Sequence, residues 1–351
     1  MKYSNHQEYL KIWIDILTPK QLLFSEPIVE RLREKHHVLC TSRQYYEVSK
    51  LSKIRHFDLI FIGKHGGISK TNKLTASIDR IKKLSNKIKK FEPELVISFG
   101  SPEAARISFG LGIKHIMFCD SPHANAVMKL TVPIIQKLLI PDIIAKKEFS
   151  KYGINEKNIL QYKAIDAMVT IQRKIDENIN SPFKKNGKKN ILIRVEEEEA
   201  AYTSKSNKTI PILQKIVKDH KNENIVVLGR YTKQIKNLQN VIGNDIKIIK
   251  MSFDGKYLLK NTDIFIGSGG TMTAESALMG VPTISYNAVP NIVEKFLVKK
   301  NLVKRETNPN KISNHIKKIF ERKNNTTQER AKKIVKEMED PIEKLVKIIK
   351  N

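Results

Sequence analysis

Short β-branched apolar runs alternate along this chain with longer stretches whose apolar residues recur every three or four positions. That rhythm predicts parallel strands joined by covering helices. In the first half, Lys11–Ile16, His37–Thr41, Asp58–Ile62, Glu94–Phe99 and His115–Cys119 read as strands, with helices around Leu22–Lys35, Lys73–Phe91 and Pro102–Phe109. Leu22, Leu23, Ile28, Val29 and Leu32 give the first helix its apolar face, and Pro27 must start or kink it. A polar stretch, Asp176–Lys189, then breaks the rhythm. It resumes with strands at Asn190–Val195, Asn224–Gly229, Lys247–Lys250, Thr262–Gly267 and Pro282–Tyr286, and helices near Lys208–His220, Thr271–Met279 and Asn291–Lys299. Two doubly wound α/β domains follow, residues 1–170 and 190–325, with 171–189 as linker. The basic segment 326–351 is helical in pattern, and Pro341 interrupts it. Ile342, Leu345, Val346 and Ile349 form a stripe that needs a surface to cover, either a domain of this chain or anionic lipid.

The 351 residues are 40% hydrophobic, which excludes a structureless chain. No run is long and apolar enough to cross a membrane: Leu130–Ala145 is broken by Pro133, Gln136, Lys137, Pro141 and Asp142. The start of the chain shows no small-residue cleavage site, so no signal peptide is expected there. Cys40 and Cys119 alone support neither a disulfide framework nor a cysteine zinc site, and a cytoplasmic setting is expected. The net charge of +28 points to an anionic partner, or else to a compositional preference for lysine, since Lys, Ile and Asn recur throughout. No specific nucleic-acid partner is expected.

In open α/β sheets ligands bind beyond the carboxyl ends of the strands, so the turns there carry the candidate chemistry. The strongest is Gly267-Ser268-Gly269-Gly270-Thr271, which follows a strand and opens a helix. Its glycines let the backbone approach an anion, and the free amides of the helix start favour a diphosphate. Glu275, one turn into the helix, is placed to accept from ribose hydroxyls. Ordinary tight-turn packing is the alternative. Asp120 and His123 follow the fifth strand and suit acid–base work, unless Asp120 or Ser121 merely caps a helix. Ser101, Pro102 and Glu103 read as a capped helix start or as site lining. His65, in Gly63-Lys64-His65-Gly66-Gly67, belongs to an anion loop or to a turn needing positive φ. Lys20 is placed to meet a phosphate, and Arg194 leads into four glutamates, 196–199, a solvated first turn or a site. Neither a dinucleotide fingerprint nor a P-loop is present, and histidine spacing indicates no metal.

The strings GSGGTMTAESALMGVPTIS, FGSPEAARISFGLGIKHI, CDSPHANAVMKLTVP and KIWIDILTPKQLLFSEPIVERLREKHHV resemble the mostly archaeal family catalogued as domain of unknown function 354. That family is similar to the two-domain GT-B enzymes, above all UDP-N-acetylglucosamine 2-epimerase and the N-acetylglucosaminyltransferase that makes lipid II. The resemblance implies two Rossmann-like domains facing a cleft, a nucleotide-sugar in the C-terminal one, and a last helix returning to the first. It assigns diphosphate binding to Ser268, Gly269, Gly270 and Thr271, and ribose binding to Glu275. The 2-epimerase's acid–base set is not retained: Ser101 stands where it has an aspartate, Asp120 and Asn125 near its two glutamates, and Arg194 in place of its histidine. The expectation is therefore a glycosyltransferase-like enzyme using a UDP-linked or similar sugar, with Asp120 or His123 as base and Arg194, Lys20, Ser101, Glu103 and His65 lining the substrate. The acceptor is expected to be lipid-linked or a polysaccharide, with peripheral contact to anionic membrane, and no cofactor or metal. A 2-epimerase-like isomerase and a non-catalytic anion-binding protein are the alternatives.

Overall fold

The computed structural model describes residues 9–67, 69–175, 181–196, 209–229, 232–243, 246–250, 254–286, 291–322 and 326–350. The chain divides into two units, residues 1–169 with 339–351, and residues 170–338.

The first unit runs β1 (Lys11–Ile16), α1 (Pro19–Arg33), β2 (His37–Gln44), α2 (Tyr46–Ile54), β3 (Ile60–Lys64), α3 (Lys70–Phe91), β4 (Leu95–Ser98), α4 (Pro102–Gly110), β5 (Lys114–Phe118), α5 (Asn125–Thr131), β6 (Lys137–Pro141), α6 (Lys147–Ser150) and β7 (Ile159–Tyr162). A short α7 (Ala167–Ile171) leads out of it. The seven strands are parallel in the order β3-β2-β1-β4-β5-β6-β7, so the chain reverses direction across the sheet between β1 and β4. The apolar run 130–145, assigned no element from sequence, contains β6. Its prolines are tolerated because Pro133 sits in a 3₁₀ turn and Pro141 ends the strand. The first helix starts earlier than expected: Thr18 caps it by accepting from the Gln21 amide (3.3 Å), Pro19 occupies its first turn, and Pro27 lies inside it.

The second unit runs β8 (Asn190–Arg194), α8 (Thr209–Asp219), β9 (Asn224–Gly229), α9 (Thr232–Ile242), β10 (Lys247–Lys250), α10 (Gly255–Lys260), β11 (Ile264–Gly267), α11 (Thr271–Leu278), β12 (Thr283–Ser285), α12 (Ile292–Lys299), β13 (Val303–Arg305), α13 (Pro309–Phe320) and α14 (Thr326–Lys336). Its parallel order is β10-β9-β8-β11-β12-β13, with the reversal between β8 and β11. Alternation of side chains explains why these strands read as unbroken apolar runs. Ile191, Ile193, Ile264 and Ile266 enter one core layer, while Leu192 and Phe265 enter the other. Each such burial is worth about 1.5–3 kcal/mol.

Two boundaries differ from the sequence reading. Within 171–189, Arg173 and Phe183 are buried, Phe183 in the second unit's core, so this stretch is packed at both places; residues 176–180 lie outside the described ones. The basic end comprises α14, which packs on α11 in the second unit, and α15 (Pro341–Lys350), which belongs to the first and packs on α1. Ile342 and Leu345 are buried there, so protein covers that part of the apolar stripe, while Val346 and Ile349 are half-buried.

Candidate functional site

Both units place loops at a carboxyl-edge reversal of strand order, where diverging connections leave room for a ligand. In the first unit Lys20 enters from the first turn of α1, Asp120 from the loop after β5 and Asp166 from the segment after β7. Lys20 Nζ donates to Asp120 Oδ2 (2.5 Å) and to Asp166 Oδ2 (2.8 Å), and lies 4.5 Å from the Phe99 ring centre. Tyr162 Oη donates to Asp166 Oδ1 (2.5 Å), and Ser121 Oγ to Asp120 Oδ1 (2.8 Å). Two carboxylates around one ammonium cannot both ionise freely. Burial, then the charge of Asp120, pushes the Asp166 carboxyl up to about 6 against the pull of Lys20. Asp120 is also penalised by burial, but Lys20 outweighs that and holds it below the usual carboxylate range. Side-chain exposure separates them further, 15% for Asp120 against 4% for Asp166. Asp120 thus has the greater access, and Asp166 holds its proton to a higher pH than an ordinary carboxylate.

Lys20 is therefore committed to carboxylates rather than open to a phosphate, as the sequence reading had it. His123 is exposed, and among the described residues its side chain makes no hydrogen bond or ion pair with Asp120. Neither Asp120 nor Ser121 caps α5, whose N-cap is Ala124 without a side-chain bond.

Ser101 and Glu103 belong to a buried hub. Asp15, in the middle of the sheet on β1, accepts from Thr41 Oγ1 (2.6 Å), Ser101 Oγ (2.6 Å) and both terminal nitrogens of Arg80 (2.6 and 3.1 Å). Ser101 also caps α4 by accepting from the Ala104 amide (3.1 Å). Glu103 accepts from Ser77 Oγ (3.0 Å) and lies 3.6 Å from Arg80. Burial raises the Asp15 carboxyl, yet Arg80 and the hydrogen bonds prevail and keep it low. His65, after β3, stacks on Tyr45 at 5.0 Å, and its Nδ1 accepts from the Gly67 amide (3.1 Å). Burial, then the charges of Arg43 and Lys73, lowers its proton affinity.

In the second unit the glycine turn joins β11 to α11. A side chain at Gly267 would meet the Phe265 ring at 2.6 Å and Thr273 Oγ1 at 2.8 Å, while Gly269 and Gly270 take φ of +94° and +90°. Gly270 caps α11 without a side chain, and the first intrahelical bond runs from the Ala274 amide to the Gly270 carbonyl (3.2 Å). The amides of Thr271, Met272 and Thr273 precede that bond and have no partner within the helix. Beneath them Thr273 Oγ1, Glu275 Oε1 and both terminal nitrogens of Arg173 are buried without hydrogen bonds. Arg173 lies 3.6 Å from Glu275 and 3.7 Å from Asp254, contacts of charge rather than hydrogen bonding. Burial raises the Glu275 carboxyl, opposed by Arg173. Arg194 ends β8 at the same reversal, buried, its carbonyl accepting from Tyr286 Oη (3.1 Å). Of the four glutamates after it, Glu197, Glu198 and Glu199 lie outside the described residues.

Asp166, Tyr162, Arg80 and Arg173 were not singled out from sequence. Asp166 follows an apolar strand, which is a signal. Its partner Lys20 stands 146 positions away, and only the strand order brings them together.

A family model described as "Protein of unknown function (DUF354)" matches residues 10–351. The chain belongs to the DUF354 family. An uncharacterized protein of Methanocaldococcus jannaschii, MJ0665, is 29% identical over 317 residues, covering 88% of this chain and 91% of that protein. Among solved structures, UDP-GlcNAc 2-epimerase from Neisseria meningitidis bound to UDP-GlcNAc is similar with a TM-score of 0.73 at 16% identity, covering 96% of this chain and 100% of that one. Spinosyn rhamnosyltransferase SpnG, complexed with spinosyn aglycone, is similar with a TM-score of 0.64 at 11% identity, covering 97% and 100%. At these identities the likeness establishes the fold: two Rossmann-like units of the GT-B type, shared by epimerases and transferases alike.

Proposed function

We propose that this DUF354 chain is a glycosyltransferase-like enzyme that uses a nucleotide-diphosphate sugar, with a UDP-linked donor as the first choice. The observation that carries this reading is the Ser268–Glu275 turn: helix-start amides without helical partners above buried, unsatisfied Thr273, Glu275 and Arg173 atoms. Buried polar atoms without hydrogen bonds are costly, about 1–3 kcal/mol each, and a ligand bearing phosphate and hydroxyls relieves that cost. In this reading the amides at Gly269–Thr271 hold the diphosphate, Glu275 accepts from the ribose, and Arg194 adds positive charge nearby. Asp120 takes the acceptor's hydroxyl proton as the oxygen bonds to the anomeric carbon and the sugar–diphosphate bond breaks. Asp166 sets the protonation state of the pair. The proposed acceptor is a lipid-linked or polysaccharide hydroxyl, reached by peripheral contact with an anionic membrane.

Thermal shift against UDP-, GDP- and dTDP-sugars tests the donor, since a ligand that prefers the native state raises the melting temperature. A UDP-sugar is expected to shift the parent chain and to shift Glu275→Gln less. Equal shifts in both would remove the ribose role, and no shift with any of them would remove the donor.

The paired carboxyls also favour a second reading. A carboxylate with access, Asp120, beside a carboxyl of raised proton affinity, Asp166, suits proton exchange at carbon, as an isomerase requires. Incubation with the donor in deuterated water separates the two: solvent deuterium in recovered sugar nucleotide indicates isomerisation, and its absence with transfer to an acceptor indicates a transferase.

A further inference from the structure

The second sheet has an opposite edge, where its parallel strands begin. There a cavity of about 520 Å³ opens beside Asp263, Pro282 and Asn301, the residues just before β11, β12 and β13 and their immediate neighbours. With roughly 3.3 Å per residue, the four residues of β11 put it about 13 Å from the glycine turn at that strand's other end. We propose that this cavity is a separate anion site, taking an organic phosphate with at least two negative charges on Lys304, Lys318 and Arg322.

His315, Lys318, Ile319 and Arg322 are spaced i, i+3, i+4 and i+7 along α13 and its end, so they share one face, and Lys304 projects from β13 into the same cavity. Among the described residues Lys304, Lys318 and Arg322 have no carboxylate partner. The nearby acids are otherwise engaged: Asp263 pairs with Lys189 (3.2 Å) and accepts from the Asn190 amide (2.8 Å), and Glu306 accepts from the amides of Thr307 and Asn308 (2.9 and 3.0 Å). His315 reports the resulting field. Burial first, then Lys304, Lys318 and Arg322, lowers its proton affinity, while Glu306 opposes them. Lys304, Lys318 and Arg322 outnumber the carboxylates beside them and repel one another, and a multiply charged anion turns that repulsion into binding. Thr326 and Thr327 bring the first turn of α14 to the same wall, adding amides that lack helical partners. Leu302, Ile319 and Phe320 give the cavity an apolar wall, which suits an organic phosphate better than a bare ion.

The test is calorimetric titration of the full chain with inorganic pyrophosphate at 150 mM salt, repeated on Lys318→Gln/Arg322→Gln and on a control, Lys87→Gln/Lys90→Gln, which removes equal charge from the exposed face of α3. The first pair is expected to weaken at least one class of pyrophosphate site tenfold or more. The control is expected to leave binding as it was, and affinity for UDP is expected to be the same in all three proteins. Equal affinities in all three, equal losses in both variants, or a parallel loss of UDP affinity would each overturn the inference. Failure of UDP to bind any of the proteins would strike the proposed function and leave this result standing. Sedimentation with phosphatidylglycerol vesicles identifies the source of the phosphate. Retention that the first variant loses marks a membrane-borne headgroup, and pyrophosphate binding without retention marks a soluble ligand.

Discussion

The two carboxyl-edge turns treat their polar groups in opposite ways. In the first unit the turn after β4 is largely closed on itself: Ser101 caps α4 and also donates to Asp15, which Arg80 and Thr41 complete, and Glu103 Oε2, 3.6 Å from Arg80, is the one atom of this hub left without a hydrogen bond among the described residues. In the second unit the turn after β11 offers no capping side chain and leaves buried atoms of Thr273, Glu275 and Arg173 unsatisfied. A satisfied network holds a fold together. An unsatisfied one, built on the same strand–turn–helix unit at the same topological position, sacrifices stability and makes sense when something else supplies the missing partners. The comparison thus gives one glycine-containing turn a structural role and leaves the other with more unmet hydrogen-bonding groups, the feature on which its proposed binding role rests.

The largest effect expected from this contrast is at Arg80. Replacing it with Met strands Asp15 in the sheet interior without its counter-charge, and breaking such a buried pair costs about 3–5 kcal/mol. Urea unfolding of the parent and Arg80→Met reads it directly. A loss under about 1 kcal/mol would mean that Asp15 does not depend on the guanidinium.

Next is the pH dependence of the Lys20–Asp120–Asp166 cluster. An unfolded aspartate loses its proton near pH 4, roughly, while folded Asp166 holds it up to about 6. Between those values the native state carries the extra proton, so this group makes stability fall as pH rises, by at most about 1.4 kcal/mol per unit. Asp166→Asn is expected to abolish that decline when unfolding free energies are compared at pH 4.5 and 6.5. If the decline survives unchanged, another group is responsible. The same substitution is expected to move the acidic limb of any activity profile.

The smallest effects form a matched pair. Ser101→Ala removes a cap and a hydrogen bond to a carboxylate, and is expected to cost about 1–2 kcal/mol in unfolding while leaving UDP affinity unchanged. Ser268→Ala is expected to do the reverse, with unfolding within about 0.5 kcal/mol of the parent and a weaker thermal shift by UDP. Were the two serines to behave alike in both measurements, the division between a structural turn and a binding turn would not hold.

Much of this contrast lies beyond the reach of local pattern. The strand–turn–helix punctuation at Gly100-Ser101-Pro102 and at Gly267–Thr271 is visible in the sequence, because glycine, serine and proline encode backbone geometry within a few residues. Their different fates are not. Ser101 is structural because Asp15 and Arg80, 86 and 21 positions away, meet it in the sheet interior. Lys20 looked available to a phosphate and is instead clasped by two aspartates, one 146 positions distant. His123 lies three residues from Asp120 yet does not join it, since sequence proximity in a loop fixes no side-chain direction.

Periodicity, turn residues and apolar content determined by themselves that this chain builds two parallel α/β sheets, and where along it the backbone turns at their carboxyl edges. Those are local properties, set by side-chain alternation and allowed dihedral angles. Only the tertiary structure decided which charged groups are neutralised, which are pushed away from their ordinary titration range and which are left without hydrogen bonds. Electrostatic free energy depends on distance and burial, and both are set by the order in which strands assemble rather than by the order in which residues are linked.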